Sequence, residues 1–257
     1  MLAGVLARIA AASATDAPWL LPYGELARRV AAERVPGVAL AQALNAVLTE
    51  TLPIELDAGT LRFEAPDTLA VGETYEAHIA RTARVPTRDD CHDLFNALVW
   101  LVHPTLKSCL NRLHGAELAR AGSGATRGPL RDALTLFDEN GALLRAPEPL
   151  AQALRARDWE ALFGTLRPLW SQARLQIVGH ALLEKLLEPR KAITAHVWVA
   201  DPGDPDQDGV LPAGFTPARL AAKPFLPLPV LGVPGWWPGN EAPAFYADSQ
   251  VFRPARR

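Results

Sequence analysis

Two helical spacings in this chain gather side chains that could do chemistry. In CHDLFNALVW, residues 91–100, His92, Asn96 and Trp100 follow one another at i, i+4 intervals. Asp93 stands about 100° round from His92 on such a helix, so it can reach a pocket that surrounds the first turn. An imidazole, a carboxylate and a carboxamide opening an otherwise apolar helix make His92, Asp93 and Asn96 the candidate catalytic residues. His180 and Glu184 in GHALLEK repeat the i, i+4 spacing, and His196 lies in the β-branched stretch ITAHVWVAD. Together His92, Asp93, His180, Glu184 and His196 form a candidate ligand set of nitrogen and oxygen donors, suited to a divalent transition metal such as zinc, manganese or iron. Asp132, Asp138 and Glu139 add further carboxylates. The same residues also have a structural reading, in which first-turn polar groups satisfy backbone donors and His180 merely bonds to Glu184 at the surface. The H-E-x-x-H spacing of zinc proteases is absent.

Other chemistries are less well provided for. Cys91 and His92 are adjacent, and neighbours on a helix do not face each other, so a thiol nucleophile would need another histidine. There is no G-x-S-x-G elbow, phosphate-binding glycine loop or dinucleotide fingerprint. DPDQDG, residues 204–209, opens like a calcium loop, but its twelfth position is Phe215 rather than a bidentate Glu, so it reads as an acidic surface loop. The closing segment combines prolines, glycines and aromatic rings with polar groups. Trp236, Asn240, Tyr246, Asp248 and Arg253 are its candidate binding residues, with a hydrophobic clasp on the core as the alternative use.

These residues need a core to hold them, and the composition provides one: 49% of the 257 residues are hydrophobic, enough for a single compact domain spanning residues 1–257. The net charge of -2 gives no field to hold a polyanion, which disfavours nucleic acid as a partner. Arg outnumbers Lys 22 to 4, which we attribute to codon bias. Two cysteines are too few for a disulfide scaffold, and no apolar run reaches the ~20 residues of a membrane span. The opening apolar run ends in a small-residue AASA but lacks a basic n-region, so it does not read as a signal peptide. A cytoplasmic protein without a membrane partner is expected.

Helical spacing of Leu26, Val30, Leu40, Leu44 and Val47 around Pro36-Gly37 predicts an N-terminal helical hairpin over residues 22–52. Residues 61–65 alternate as a strand, and residues 75–83 read as a helix. Before the central helix, Thr87 and Asp90 have the spacing of a capping-box variant, with Asp89 or Asp90 alone as the other possible cap. Leu94, Phe95, Leu98, Val99, Leu101 and Val102 cover most of that helix, predicting burial on several sides until Pro104 ends it. A second helix follows over about residues 105–119, and residues 122–129 form the clearest loop and the best candidate for a mobile segment. Asn140-Gly141 between two apolar runs predicts a hairpin over residues 133–145 with a type I′ turn. Residues 148–172 read as helix, residues 193–201 as strand, and residues 212–257 as an extended proline-rich wrap. The class is α+β, mostly helical, with a small antiparallel sheet or hairpin.

The blocks PTRDDCHDLFNALVWL, RGPLRDALTLFDENGAL, GHALLEKLLEP with TAH, and LPVLGVPGWW with FYADSQVFRP resemble, in the same order, a bacterial family catalogued as domain of unknown function 3025. The resemblance runs from roughly residue 86 to the C-terminus and marks residues 86–200 as the central body. It implies a single cytoplasmic bacterial domain and assigns no reaction. Two functions of different kinds remain from the residues: a metal-assisted hydrolase of a small molecule or phosphoester, and a non-catalytic binding module using the C-terminal aromatic segment.

Overall fold

The N-terminal residues fold as helices because their apolar positions recur every three or four residues. In the computed structural model, which describes residues 2–121, 128–201, 204 and 211–254, three helices open the chain. They are α1 (Leu2–Ala10), α2 (Gly24–Glu33) and α3 (Leu40–Thr49), and Leu6, Ile9, Val30, Leu40 and Leu44 are buried where they meet. Two short strands, β1 (Glu55–Leu56) and β2 (Gly59–Thr60), pair antiparallel. Next, β3 (Arg62–Glu64) runs parallel to β4 (Arg84–Pro86), joined by α4 (Tyr75–Thr82), whose N-cap Thr74 accepts from the Ala77 N–H.

The central helix α5 (Cys91–Val102) starts at Asp90, whose carboxylate accepts from the Asp93 N–H at 2.8 Å. Thr87 takes no part in that cap and donates to the Val85 carbonyl instead. Leu94, Phe95, Ala97, Leu98, Val99 and Trp100 are at most 1% exposed, because α2, α3, α6 (Pro104–Ala121) and α9 (His180–Lys185) surround the helix. Pro104 lacks the N–H that would continue α5 and instead opens α6.

The remaining elements build a four-stranded sheet with helices against it. Helix α7 (Pro129–Asn140) leads into β5 (Gly141–Arg145), then α8 (Glu148–Ala156), β6 (Arg174–Ile177), α9, β7 (Thr194–Val199), α10 (Pro217–Ala221) and β8 (Leu226–Pro229). The strand order is β6-β5-β7-β8, with β5 and β7 parallel and both outer pairs antiparallel. The fold is α+β and mainly helical. No helix among the described residues is long and apolar enough to cross a membrane.

Three expectations from the sequence give way. The hairpin over residues 133–145 does not form: Leu130, Ala133, Leu134 and Phe137 share one buried helical face, and Asn140-Gly141 marks the end of α7. A type I′ turn needs positive φ, whereas Gly141 has φ -76°; β5 finds its antiparallel partner in β6. The helix expected over residues 148–172 stops at α8, where Arg157 turns left-handed at φ 51°, and continues as a π-turn at Ala161–Thr165 and a 3-10 turn at Arg167–Gln172. The C-terminal wrap contributes β8, and its Pro227 and Pro229 are tolerated because the strand lies at the sheet's edge. Most of the expected loop at residues 122–129, namely residues 122–127, lies outside the described residues. So do residues 205–209 of the acidic DPDQDG segment.

The strand, helix and site meet at one close contact. The Val178 and Gly179 N–H groups both donate to the Gly141 carbonyl, at 3.0 and 2.8 Å. A Cβ on Gly179 would lie 2.5 Å from the Gly141 nitrogen and 2.6 Å from Asn140 Cα, and one on Gly141 would lie 2.3 Å from the Phe137 oxygen. Because the obstructing atoms are backbone, Gly179→Ala should cost about 1–3 kcal/mol. Urea unfolding checks this as a lower midpoint at unchanged slope.

Candidate functional site

Among the described residues, one group of three metal-capable side chains stands close enough to share an ion: His92, Glu139 and His180, with one ligand atom of each within 4.8 Å of the others. They line a cavity of about 480 Å3 bounded by α4, α5, α6, α7 and the start of α9. A larger groove of about 980 Å3 along α4, α6 and residues 52–57 holds no such group.

Each of the three side chains is placed by a different element. His92 comes from the first turn of α5, Glu139 from the last turn of α7 and His180 from the first residue of α9. His180 Nδ1 lies 2.8 Å from the Asp138 carbonyl oxygen. A carbonyl can only accept, so Nδ1 carries the hydrogen and Nε2 presents its lone pair. His92 Nδ1 lies 3.1 Å from the Glu184 carboxylate, which fixes the same tautomer. The two Nε2 atoms then face each other at 3.1 Å, with the rings at 74°. Two lone pairs at that distance repel unless a proton or a cation sits between them. Burial pulls the pKa of His180 down to about 4, so near neutrality its own Nε2 holds no proton and is free to accept from His92 or to bind a cation. Glu139 Oε1 stands 3.7 Å from His180 Nε2, and burial raises the pKa of its carboxyl.

Behind the histidines runs a buried polar network. Lys107, 4% exposed, donates to Asp138 Oδ1 at 2.5 Å and to Asn96 Oδ1 at 2.8 Å. Asn96 Nδ2 in turn donates to the Tyr75 hydroxyl at 2.7 Å. Burial opposes charge on Asp138, but Lys107 and His180 outweigh it and hold its pKa below the usual carboxylate value. Asp93 grips Arg88 with both oxygens, each at 2.9 Å from a guanidinium nitrogen, and also accepts from the Arg88 backbone N–H at 2.6 Å.

Of the residues singled out from the sequence, the structure thus brings His92 and His180 together, with Glu184 beside them as the acceptor for His92. Asp93 and Asn96 line the same cavity, engaged by Arg88 and by Lys107 with Tyr75. His196 does not line it: it sits in β7 between Gly141 and Pro227, where burial and Lys185 lower its pKa. The C-terminal candidates lie elsewhere. Trp236 packs on Trp19 at 6.0 Å, and buried Asn240 donates to the Leu231 and Val233 carbonyls. Tyr246 donates to the Gly232 carbonyl, Asp248 pairs with Lys191, and the Arg253 carbonyl accepts from Trp159. These contacts hold the segment against the rest of the chain. Sequence reasoning missed Lys107 and Tyr75, and treated Glu139 as one carboxylate of a hairpin. The scarcity of lysine, with four in the chain, was the available signal for Lys107.

The chain belongs to the family described as "Protein of unknown function (DUF3025)", whose model matches residues 61–256. Every residue lining the cavity falls within that range. No curated protein and no solved structure matches the chain significantly.

The low pKa of His180 makes the folded protein acid-sensitive. Between about pH 6.5 and pH 4 the unfolded chain binds a proton at this position that the folded chain refuses, so stability rises with pH across that window. The contribution, complete above pH 6.5 and lost as pH falls towards 4, is on the order of 3 kcal/mol. Urea unfolding with chelator at pH 7.5 and 4.5 should show it, and His180→Gln should flatten the dependence.

Proposed function

We propose that this chain is a metal-dependent hydrolase of a small molecule or phosphoester, in which His92, His180 and Glu139 hold one divalent ion. The observation that carries the reading is the pair of opposed Nε2 lone pairs, each fixed from behind by an acceptor at Nδ1. A metal-binding imidazole is oriented in this way, with its far N–H on a carboxylate or a carbonyl. Around a tetrahedral ion with bonds near 2.1 Å, neighbouring ligand atoms stand about 3.4 Å apart. The two spacings from His180 Nε2, 3.1 and 3.7 Å, bracket that value, and all three ligand atoms lie within 4.8 Å of one another. The charge balance agrees: the lining carries Glu76, Asp93, Asp138 and Glu139 against Arg88 and Lys107, an excess of two negative charges that a divalent ion neutralises.

Two histidines and one carboxylate leave a coordination position open to water, and a bound ion brings the pKa of that water to about 7. An ion held by His92, His180 and Glu139 would supply activated water to a substrate in the cavity. Its volume of about 480 Å3 lies in the range of small-molecule sites.

Protein purified without chelator and titrated with zinc should take up one equivalent. His92→Ala and His180→Ala should each abolish stoichiometric uptake, and His196→Ala should leave it intact. Glu184→Gln should weaken affinity about 10- to 100-fold, the usual effect of losing a residue that orients a ligand. No stoichiometric uptake, or uptake indifferent to His92→Ala, would overturn the reading.

A further inference from the structure

The polar network beside the metal ligands has donors left over. Lysine only donates, so the Asn96 atom facing Lys107 at 2.8 Å must be the amide oxygen. The NH2 group of Asn96 therefore faces Tyr75, and the Tyr75 oxygen accepts from it at 2.7 Å. That leaves the phenol hydrogen with no protein acceptor among the described residues. Lys107 gives two of its three N–H bonds to Asn96 and Asp138, and its ammonium also lies over the Trp100 ring at 5.4 Å, which leaves the third N–H without an oxygen or nitrogen acceptor among the described residues. Both residues line the cavity that His92, Glu139 and His180 also line.

We propose that Tyr75 and Lys107 form an oxyanion-holding pair in this cavity, and that the substrate is accordingly a carboxylic ester or amide. The inference rests on the metal-dependent hydrolase reading and narrows it. One hydroxyl and one ammonium donor, tied together through Asn96, match a single oxygen that gains charge. A transferring phosphoryl group spreads its charge over three oxygens and calls for several cationic partners. Arg88, the other cation of the lining, is already held by both oxygens of Asp93, and Asp138 balances Lys107. Pro66, Leu69, Ile79, Trp100 and Leu110 supply an apolar wall for the body of an acyl compound.

The chemistry balances without a further reactant. Water adds to the carbonyl carbon, and the C=O electron pair moves onto the oxygen held by Tyr75 and Lys107. The C=O bond re-forms as the bond to the leaving group breaks. That group departs with the proton given up by the water, and the products are a carboxylic acid and an alcohol or amine. Tyr75 and Lys107 touch the reacting oxygen and stabilise it most when its charge is largest, so losing a donor should lower kcat more than it raises KM.

The test uses the zinc-loaded full chain with p-nitrophenyl acetate and bis(p-nitrophenyl) phosphate as probes, and His92→Ala and metal-free protein as controls for unspecific cleavage. Metal-dependent cleavage of the acetate ester is expected, with the phosphate ester inert. Tyr75→Phe, which keeps the ring and its packing, should lower kcat about 10²-fold while zinc stoichiometry and KM stay as in the parent. Zinc bound at the triad with cleavage of the phosphate ester only, with no cleavage of the acetate, or with full activity in Tyr75→Phe overturns the oxyanion pair and leaves the metal site standing. Failure to bind zinc at all overturns both.

Discussion

The site depends on a backbone contact with no room for a side chain. Where α7 passes into β5, the Gly141 carbonyl receives the N–H groups of Val178 and Gly179, and the glycine at each position lets the two segments touch. This junction joins the sheet to the helices and sets the first residue of α9 against the last turn of α7. His180 consequently reaches back to the Asp138 carbonyl while Glu139, the next residue, points into the cavity. The third participant, His92, enters from α5, a helix so enclosed by apolar packing that its first turn has little freedom to move.

Electrostatics explain why such an arrangement is worth building. A buried lysine, a buried histidine and an acidic cluster are each costly alone, and the network offsets part of the cost by pairing opposite charges. Lys107 answers Asp138 and Arg88 answers Asp93, which leaves Glu139 and the two Nε2 lone pairs as the part of the network that the protein itself does not complete. A structural role accounts for Asp93 on Arg88 and for Asp90 as a cap. Two imidazoles with opposed Nε2 atoms, each held at Nδ1 by an acceptor, fit a cation placed between them.

Much of the fold was legible in the sequence, because strong periodicity reports local structure. The helices of the N-terminal hairpin, the buried α5 and the β-branched β7 follow directly from their patterns. Asn140-Gly141 misled because the same dipeptide suits a hairpin turn and a helix end, and only the partner strand decides between them. β6 lies about thirty residues beyond β5, a separation that no local pattern encodes. For the site, the pairing of His92 with His180 could be anticipated from two i, i+4 motifs. The exclusion of His196 and the inclusion of Glu139 could not, since both follow from the parallel β5–β7 register and the helical end of α7. Tyr75 lies in a short helix with an ordinary composition, and its place in the network follows only once Asn96 and Lys107 fix which of its atoms is in use.

The account places one metal ion between two imidazoles and one carboxylate, and X-ray absorption spectroscopy of the protein loaded with one equivalent of zinc reads that shell directly. The predicted spectrum has two imidazole nitrogens at about 2.0–2.1 Å, with light oxygen ligands completing a four-coordinate shell. A shell of oxygens alone, or one containing sulfur at about 2.3 Å from Cys91 or Cys109, would contradict it.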